Sequence, residues 1–280
     1  MGILYLVATP IGNLEDITLR ALRILKEVAL IAAEDTRTAR HLLSHFEIAT
    51  PVTSYFEHNK LEKIENILAA LERGDVAVIS EAGMPGLSDP GYELVRAALE
   101  RGVRVVPVPG PSALATALVA SGLPTDQFIY LGFLPRQKSA RRKLLRSVAK
   151  EPRTLIAYEA PHRIRDALDD IAETMGDRPI SIARELTKLY EEFFRGRVNE
   201  AREHFEAHEP RGEFTLVIAG KSGELEVQDS DGDSTWDDAR VLAAIRDLLA
   251  TGLARTEAVK RVAKASGRDR REVYQLAIGN

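Results

Sequence analysis

Val76-Ala77-Val78-Ile79 runs directly into Ser80-Glu81-Ala82-Gly83-Met84-Pro85-Gly86-Leu87-Ser88-Asp89-Pro90-Gly91. Four consecutive apolar residues bounded by turn formers read as a strand buried on both faces, as in a parallel sheet. The loop after it holds three glycines and two prolines. Glycine permits positive φ and close backbone approach, while proline fixes φ and removes a donor. A loop so shaped and stiffened presents main chain to whatever it meets. In open α/β sheets ligands lie beyond the carboxyl ends of the strands, so this loop is expected to bind one. An ordinary tight connection needs no such density of special residues.

On either side of that run, strands alternate with helices as βαβ units require. Ile3–Ala8 reads as a strand and Leu14–Lys26 as a helix with Leu19, Leu22 and Leu25 apolar. A strand at Leu30–Ala33 leads to the polar turn Glu34-Asp35-Thr36-Arg37, a helix through Leu42 and Leu43, and a strand at Val52–Tyr55. Helices follow over Leu61–Arg73, which ends at Gly74, and over Tyr92–Arg101, before a strand at Arg104–Val108. Pro109-Gly110-Pro111-Ser112 breaks the chain, with Ser112 placed to cap a helix over Ala113–Ala120.

A second α/β segment carries strands Gln127–Gly132, Arg153–Tyr158, Ile180–Ala183 and Glu213–Ala219, with a basic helix Ser139–Lys150 and a helix His162–Met175. Gly220–Asp233 has the composition of a flexible linker, and three helices are expected after it, over Trp236–Leu249, Arg255–Ser266 and Arg270–Ile278. The expected fold class is α/β. A domain with a parallel sheet spans 1–120, a second with a mixed sheet spans 121–221, a linker covers 222–234, and a helical module covers 235–280.

Composition narrows the chemistry. At 45% hydrophobic and 29% charged residues, the chain can bury a core, and its net charge of −4 makes any polyanion-binding surface local. Cysteine is absent, which removes disulfides, thiolate-bound metals and thiolate nucleophiles. No apolar run approaches the roughly 20 residues that span a bilayer. The start, Met1 to Val7, lacks a basic segment and cleavage site and reads as a strand, so cytoplasmic residence is the expectation. His41/His45 and His204/His208 have helical metal-ligand spacing but no accompanying zincin Glu, and solvated helix positions account for them. No metal is expected.

No two glycines stand one residue apart, so the dinucleotide fingerprint and the Gly-x-Gly methyltransferase loop are missing, as is the P-loop. Three other loops at strand ends stand out: Ala8-Thr9-Pro10-Ile11-Gly12-Asn13, the Ser80–Gly91 loop, and Pro109 to Ala113. Together with Glu34-Asp35-Thr36-Arg37, Tyr158-Glu159-Ala160-Pro161-His162-Arg163 and Ala183-Arg184-Glu185-Leu186-Thr187-Lys188, they resemble the small-subunit ribosomal RNA ribose methyltransferase I family. That family has the tetrapyrrole-methylase fold. The resemblance spans roughly residues 3–220 with the motifs in order. The tail resembles the helix-turn-helix-like extension found on many members.

The resemblance implies a dimeric two-domain enzyme that binds S-adenosylmethionine between its domains. Its substrate would be the ribose 2′-hydroxyl of a cytidine in the decoding region of 16S rRNA, free or in the small subunit. Matching position by position, the first cofactor loop falls on Pro10, Ile11 and Gly12. The second falls on Gly83, Met84, Pro85 and Leu87, and the third on Ser112 and Ala113, with Tyr158 and Glu159 closing from the second domain. Members commonly carry Asp and Thr where this chain has Glu81 and Met84, so contacts there are expected from backbone.

A ribose hydroxyl is a weak acid, and methylating it calls for a positioned base or a cation that stabilises the alkoxide. Glu81, Asp89, Asp35 and Glu185 are candidate bases, with Arg37, Arg163, Arg184 and Lys188 as neighbouring cations. Arg184-Glu185 is the first choice on the substrate side, while helix capping suits Glu34 and Asp35 better. His162, after Pro161 at a helix start, suits capping or packing as well as catalysis.

From Pro135 to Arg153, eight cations (Arg136, Lys138, Arg141, Arg142, Lys143, Arg146, Lys150 and Arg153) stand against the single acid Glu151. An excess this one-sided is expected to meet RNA phosphates, with Arg163 nearby. The segment from Trp236 onward carries nine cations and six acids, which fits a nucleic-acid-binding helix-turn-helix or a small packing module equally. Two other functions share these features. One is a methylase of a tetrapyrrole such as a corrin precursor, which needs no extended basic surface. The other is a nucleic-acid-binding regulatory module without turnover.

Overall fold

Apolar residues at β-strand and helical periods pair off into two sheets with helices against their faces. The computed structural model describes residues 1–55, 60–221, 236–250 and 253–278. The expected linker at 222–234 lies outside the described residues. The chain divides into two compact units, Met1–Ser222 and Gly223–Asn280.

The first half of the larger unit runs β1 (Ile3–Val7), α1 (Leu19–Glu27), β2 (Leu30–Ala33), α2 (Thr36–His45), β3 (Val52–Ser54), α3 (Lys60–Leu71), β4 (Val76–Ile79), α4 (Tyr92–Glu100), β5 (Arg104–Val108) and α5 (Ala113–Ala120). Its five strands are parallel in the order β3-β2-β4-β1-β5. One face packs Val7, Ile31, Ala77 and Ile79 on Ile24, Leu25, Leu42 and Leu43 of α1 and α2. The other packs Leu4, Val76 and Val78 on Ile67, Leu68, Leu71 and Leu94 of α3 and α4. Both faces being covered, every strand residue of β4 is buried, which is why that run shows no alternation. The segment before α1 is a 3₁₀ turn at Leu14–Asp16, because Asn13 and Thr18 each cap a separate start.

The second half adds β6 (Phe128–Phe133), α6 (Lys138–Ser147), β7 (Thr154–Glu159), α7 (Ile164–Met175), β8 (Pro179–Arg184), β9 (Glu192–Arg197), α8 (Val198–Ala207) and β10 (Phe214–Ile218). The sheet order is β6-β7-β10-β8-β9, with β6–β7 parallel and the other pairs antiparallel. α6, α7 and α8 cover one face through Leu145, Ile164, Leu168, Ile171, Val198 and Phe205. The opposite face packs Ile156, Ala183 and Val217 on Ala117 and Leu118 of α5 and on Ile11 after β1. α5 therefore belongs to the packing of the second sheet, and this shared cluster holds the two halves together.

β9 was not anticipated. Its residues Glu192, Arg195 and Arg197 are charged and Gly196 interrupts the run, as an edge strand paired on one side allows. In the smaller unit, α9 (Asp238–Ala250), α10 (Arg255–Ser266) and α11 (Arg270–Ile278) bury Val241, Ile245, Val259, Val262 and Val273 among themselves. Gly267, in the left-handed region at φ 67°, ends α10 and makes the turn into α11.

Candidate active site

The strand order sets β1 between β4 and β5, so the loops after these three strands lie side by side at the carboxyl edge. Backbone joins two of them: Thr9 N donates to Gly83 O at 2.9 Å and Gly83 N to Thr9 O at 3.1 Å. Thr9, almost fully buried, also donates through Oγ1 to Ser80 O at 3.4 Å. Gly83 sits at φ 79°, and a Cβ there would lie 3.4 Å from Ile11 Cγ2 and 3.6 Å from Pro111 O. All three loops therefore meet at one α-carbon that only glycine suits. Pro85 is buried and Met84 half-buried, while Leu87 is exposed at the loop's tip. Ser112 occupies the N-cap of α5, yet its side chain makes no capping bond. The α5 amide of Leu114 is satisfied instead by the Tyr158 hydroxyl, which accepts it at 3.1 Å.

That bond is one of several by which the second half closes on the first. Ser88 Oγ and Tyr130 Oη are 2.6 Å apart, and Arg195 donates twice to Ala120 O, at 3.1 and 2.7 Å. A Cβ on Gly12 would stand 2.9 Å from both Leu186 O and Thr187 Oγ1, so the β1 loop lies flat against the turn after β8. In that turn Glu185 and Thr187 hold φ values of 50° and 66°. Two non-glycine residues in the left-handed region store strain of the sort found at ligand clamps. Thr187 Oγ1 is buried and has no hydrogen-bond partner among the described residues. Burial pushes the Tyr158 hydroxyl pKa up, with Tyr130 beside it adding to the effect.

Carboxylates gather at the edge of the same cradle. Glu34 follows β2, and burial followed by the charge of Glu81 raises its pKa; its Oε2 is buried without a partner among the described residues. Asp89 is half-buried, and its pKa rises to about 7. Burial is the main cause and the Glu34 charge the next, with the Ser80 hydroxyl pulling the other way and Glu81 adding to the rise. Asp35 behaves differently: its side chain caps α2 by accepting Arg37 N at 2.7 Å and pairs with the Arg37 guanidinium, which takes its pKa down to about 2. It is a cap.

Several expected site residues are committed elsewhere. Glu185 Oε1 accepts from Lys188 Nζ at 2.9 Å and from Glu213 N at 3.1 Å. Burial works to raise its pKa, but those bonds and the nearby cations hold it below the ordinary value. Arg184 binds Arg211 O and Glu192 Oε2, so this pair latches the turn to its neighbours and is a poor proton acceptor. Glu159 lies on the helix-covered face, two residues from Ala157 of that core, with its Oε1 on Ala160 N and Arg163 Nη2. Its side chain, and Arg163 with it, is turned away from the cradle. His162 is exposed, and His204 and His208 stack ring on ring at 4.6 Å. No metal-binding group of three or more His or acidic side chains occurs among the described residues.

The basic segment also divides. Arg141 is 2% exposed and donates to Asp170 Oδ2 at 2.7 Å, while Arg142 donates to Asp170 Oδ1 at 2.6 Å and pairs with Glu173. Arg153 pairs with Glu151. Arg141 is thus a core residue and not an RNA contact, because α7 supplies acids that a count along the basic stretch omits. Arg136, Lys138, Lys143, Arg146 and Lys150 are exposed and have no ion pair among the described residues. Sequence reasoning missed Thr187 and Tyr130. The only signal for Tyr130 was an aromatic in a strand whose register was unknown.

Comparison with known proteins agrees with this architecture. The model of the tetrapyrrole (corrin/porphyrin) methylases matches residues 3–202. A ribosomal RNA small subunit methyltransferase I from Halalkalibacterium halodurans is 47% identical over 276 residues, 98% of this chain and 94% of its own. A protein of the same name from Thermotoga maritima is 53% identical over 222 residues, 79% of this chain and 100% of its own. Among solved structures, uroporphyrin-III C-methyl transferase from Thermus thermophilus, complexed with S-adenyl homocysteine, has a TM-score of 0.55 at 23% identity, covering 78% of this chain and 97% of that one. Cobalt precorrin-4 methyltransferase has a TM-score of 0.59 at 17% identity, covering 77% and 94%. At such identities the structures speak for the fold alone. With relatives this similar over nearly its whole length, the chain belongs to the ribosomal RNA small subunit methyltransferase I family, within the tetrapyrrole methylases.

Proposed function

We propose that the chain transfers a methyl group from S-adenosylmethionine to the ribose 2′-hydroxyl of a cytidine in the decoding region of 16S rRNA, as a cytoplasmic homodimer. The observation that carries the reading is the cradle around Gly83 beside a half-buried carboxyl group whose pKa is about 7. The cofactor fits what surrounds it. Glu34 and Glu81 complement a cationic sulfonium, the absent Cβ of Gly83 leaves room for close approach, and Thr187 Oγ1 offers a buried hydroxyl without a partner among the described residues. Main chain at Pro10, Ile11, Gly12 and Gly83 to Leu87, with Ser112, Ala113 and Tyr158, would hold it. When bound, it supplies a methyl group already activated for in-line displacement.

The chain's own residues then have two tasks. Tyr158, Tyr130 and the turn after β8 close the cleft and exclude water. Asp89 accepts the proton of the ribose hydroxyl, with its burial and then the charges of Glu34 and Glu81 keeping it basic enough to do so near neutral pH. The unpaired cations Arg136, Lys138, Lys143 and Arg146, spread over the approach to α6 and along it, favour an extended polyanion over a compact macrocycle. The test is incubation of the full chain with methyl-labelled cofactor and small ribosomal subunits from cells lacking the enzyme, followed by mapping of the label. One labelled cytidine ribose is expected. Label on a base, or none on RNA while a tetrapyrrole is methylated, would overturn the reading.

A further inference from the structure

β6 and β7 run parallel with Phe128 opposite Thr154, Ile129 opposite Leu155 and Tyr130 opposite Ile156; then the register shifts and Phe133 faces Tyr158. One extra residue has been inserted into β6. Gly132, at φ 68°, lies within that irregularity. A shift of one residue sends each following side chain to the other face of the sheet. Ile129 and Leu131 pack on the helix-covered face, and strict alternation would send Phe133 there too. The bulge gives that core position to Leu134, which is buried, and turns Phe133 to the side of Tyr130 and Tyr158. Bulges are rare in parallel pairs and commonly re-aim a side chain beside an active site.

Phe133 gains little burial from this placement: it is 56% exposed. Its ring meets Tyr158 edge to face at 5.4 Å, so one aromatic face is held in place at the cleft. The bulge is pinned to the β4 loop as well. Tyr130 Oη reaches Ser88 Oγ, and a Cβ on Gly132 would lie 3.4 Å from that same Ser88 oxygen. Past the ring the chain leads at once into Arg136 and Lys138, both exposed and unpaired among the described residues.

We propose that Phe133 is the platform of a nucleobase subsite. A base of single-stranded RNA stacks on its exposed face while the neighbouring phosphates meet Arg136 and Lys138. This deepens the RNA-methylation reading and rests on it. An apolar protein surface covering Phe133 would leave two cations next to it desolvated and unpaired, whereas a nucleotide satisfies ring and cations together. The aromatic ring matters for its π-face, which distinguishes stacking from general apolar packing.

The test compares full-length wild type with Phe133→Ala, Phe133→Leu and Phe133→Trp, using a labelled, cytidine-containing single-stranded RNA of about ten nucleotides. Binding needs no turnover, so failure of the wild type to methylate small subunits would count against the functional reading without deciding this one. RNA affinity is expected to fall about 5- to 100-fold in Phe133→Ala and Phe133→Leu and to survive in Phe133→Trp. Cofactor affinity by calorimetry should be unchanged in all three. Full affinity in Phe133→Leu, or no loss in Phe133→Ala, overturns the proposal. So does a change of oligomeric state in Phe133→Ala by light scattering, which would assign the ring to a second copy of the chain.

Discussion

The turns after β4 and β8 both place a carboxylate at the carboxyl end of a strand, and the two carboxylates have opposite fates. Glu185 is held by partners: Lys188 Nζ and the Glu213 amide both donate to its Oε1, and its pKa falls. Asp89 is half-buried beside other acids, Glu34 and Glu81, and its pKa rises to about 7. Position in the fold is similar; partners differ. A carboxylate that has already found its donors stabilises structure, while one kept short of them near neutrality is free to take a proton.

The largest expected effect that sharpens this contrast is on rate. Asp89→Asn should lower kcat by about 100-fold or more, as for loss of a general base, while leaving cofactor affinity within a few-fold of wild type. Its stability profile should move the other way. In the folded protein Asp89 keeps its proton to about pH 7, whereas in the unfolded chain it loses it near 3.8. Wild-type stability therefore drops as pH rises between those values, and the Asn variant should gain on it over that window and hold the gain above it. Thermal melts of both proteins from pH 4 to 8 check this.

Glu185→Ala comes next. It leaves the Glu213 amide without its acceptor and Lys188 with only the Glu213 carboxylate, and should cost about 1.5–3 kcal/mol in denaturant unfolding, with kcat reduced far less than by Asp89→Asn. An equal or larger loss of kcat would break the contrast. Smaller still is the difference between Gly83→Ala and Gly86→Ala. Both glycines have positive φ, so each substitution carries a backbone cost of about 1–2 kcal/mol. Only at Gly83 does the new Cβ approach Ile11 and Pro111, so calorimetry should find weaker cofactor binding in that variant alone. Last, Lys143→Ala or Arg146→Ala should flatten the salt dependence of RNA affinity by roughly 0.7–0.9 in log–log slope, leaving the melting temperature unmoved.

Much of this architecture is readable from local signals. The apolar runs of β1, β2, β4 and β5, with their Gly- and Pro-rich exits, forecast a parallel sheet with shaped loops at its carboxyl edge, and resemblance at the motifs gave the family. What escaped depended on partners distant in sequence. Arg141 looked like part of a basic face because Asp170, its buried partner, lies on the next helix. Glu185 looked catalytic because nothing in its neighbourhood of the chain reveals the Glu213 amide 28 residues on. β9 lacked a hydrophobic alternation because only one edge of it pairs. The aim of Phe133 depended on a one-residue register shift that composition does not encode.

The pH dependence of kcat/KM for methylation of small ribosomal subunits tests the central assignment most directly. Activity should climb with a midpoint at about pH 7 and level off above it, and Asp89→Asn should remove that step along with most of the rate. A wild-type profile without a step in that range, or an Asn variant that keeps both the step and the rate, would contradict the assignment of the proton acceptor to the β4 turn.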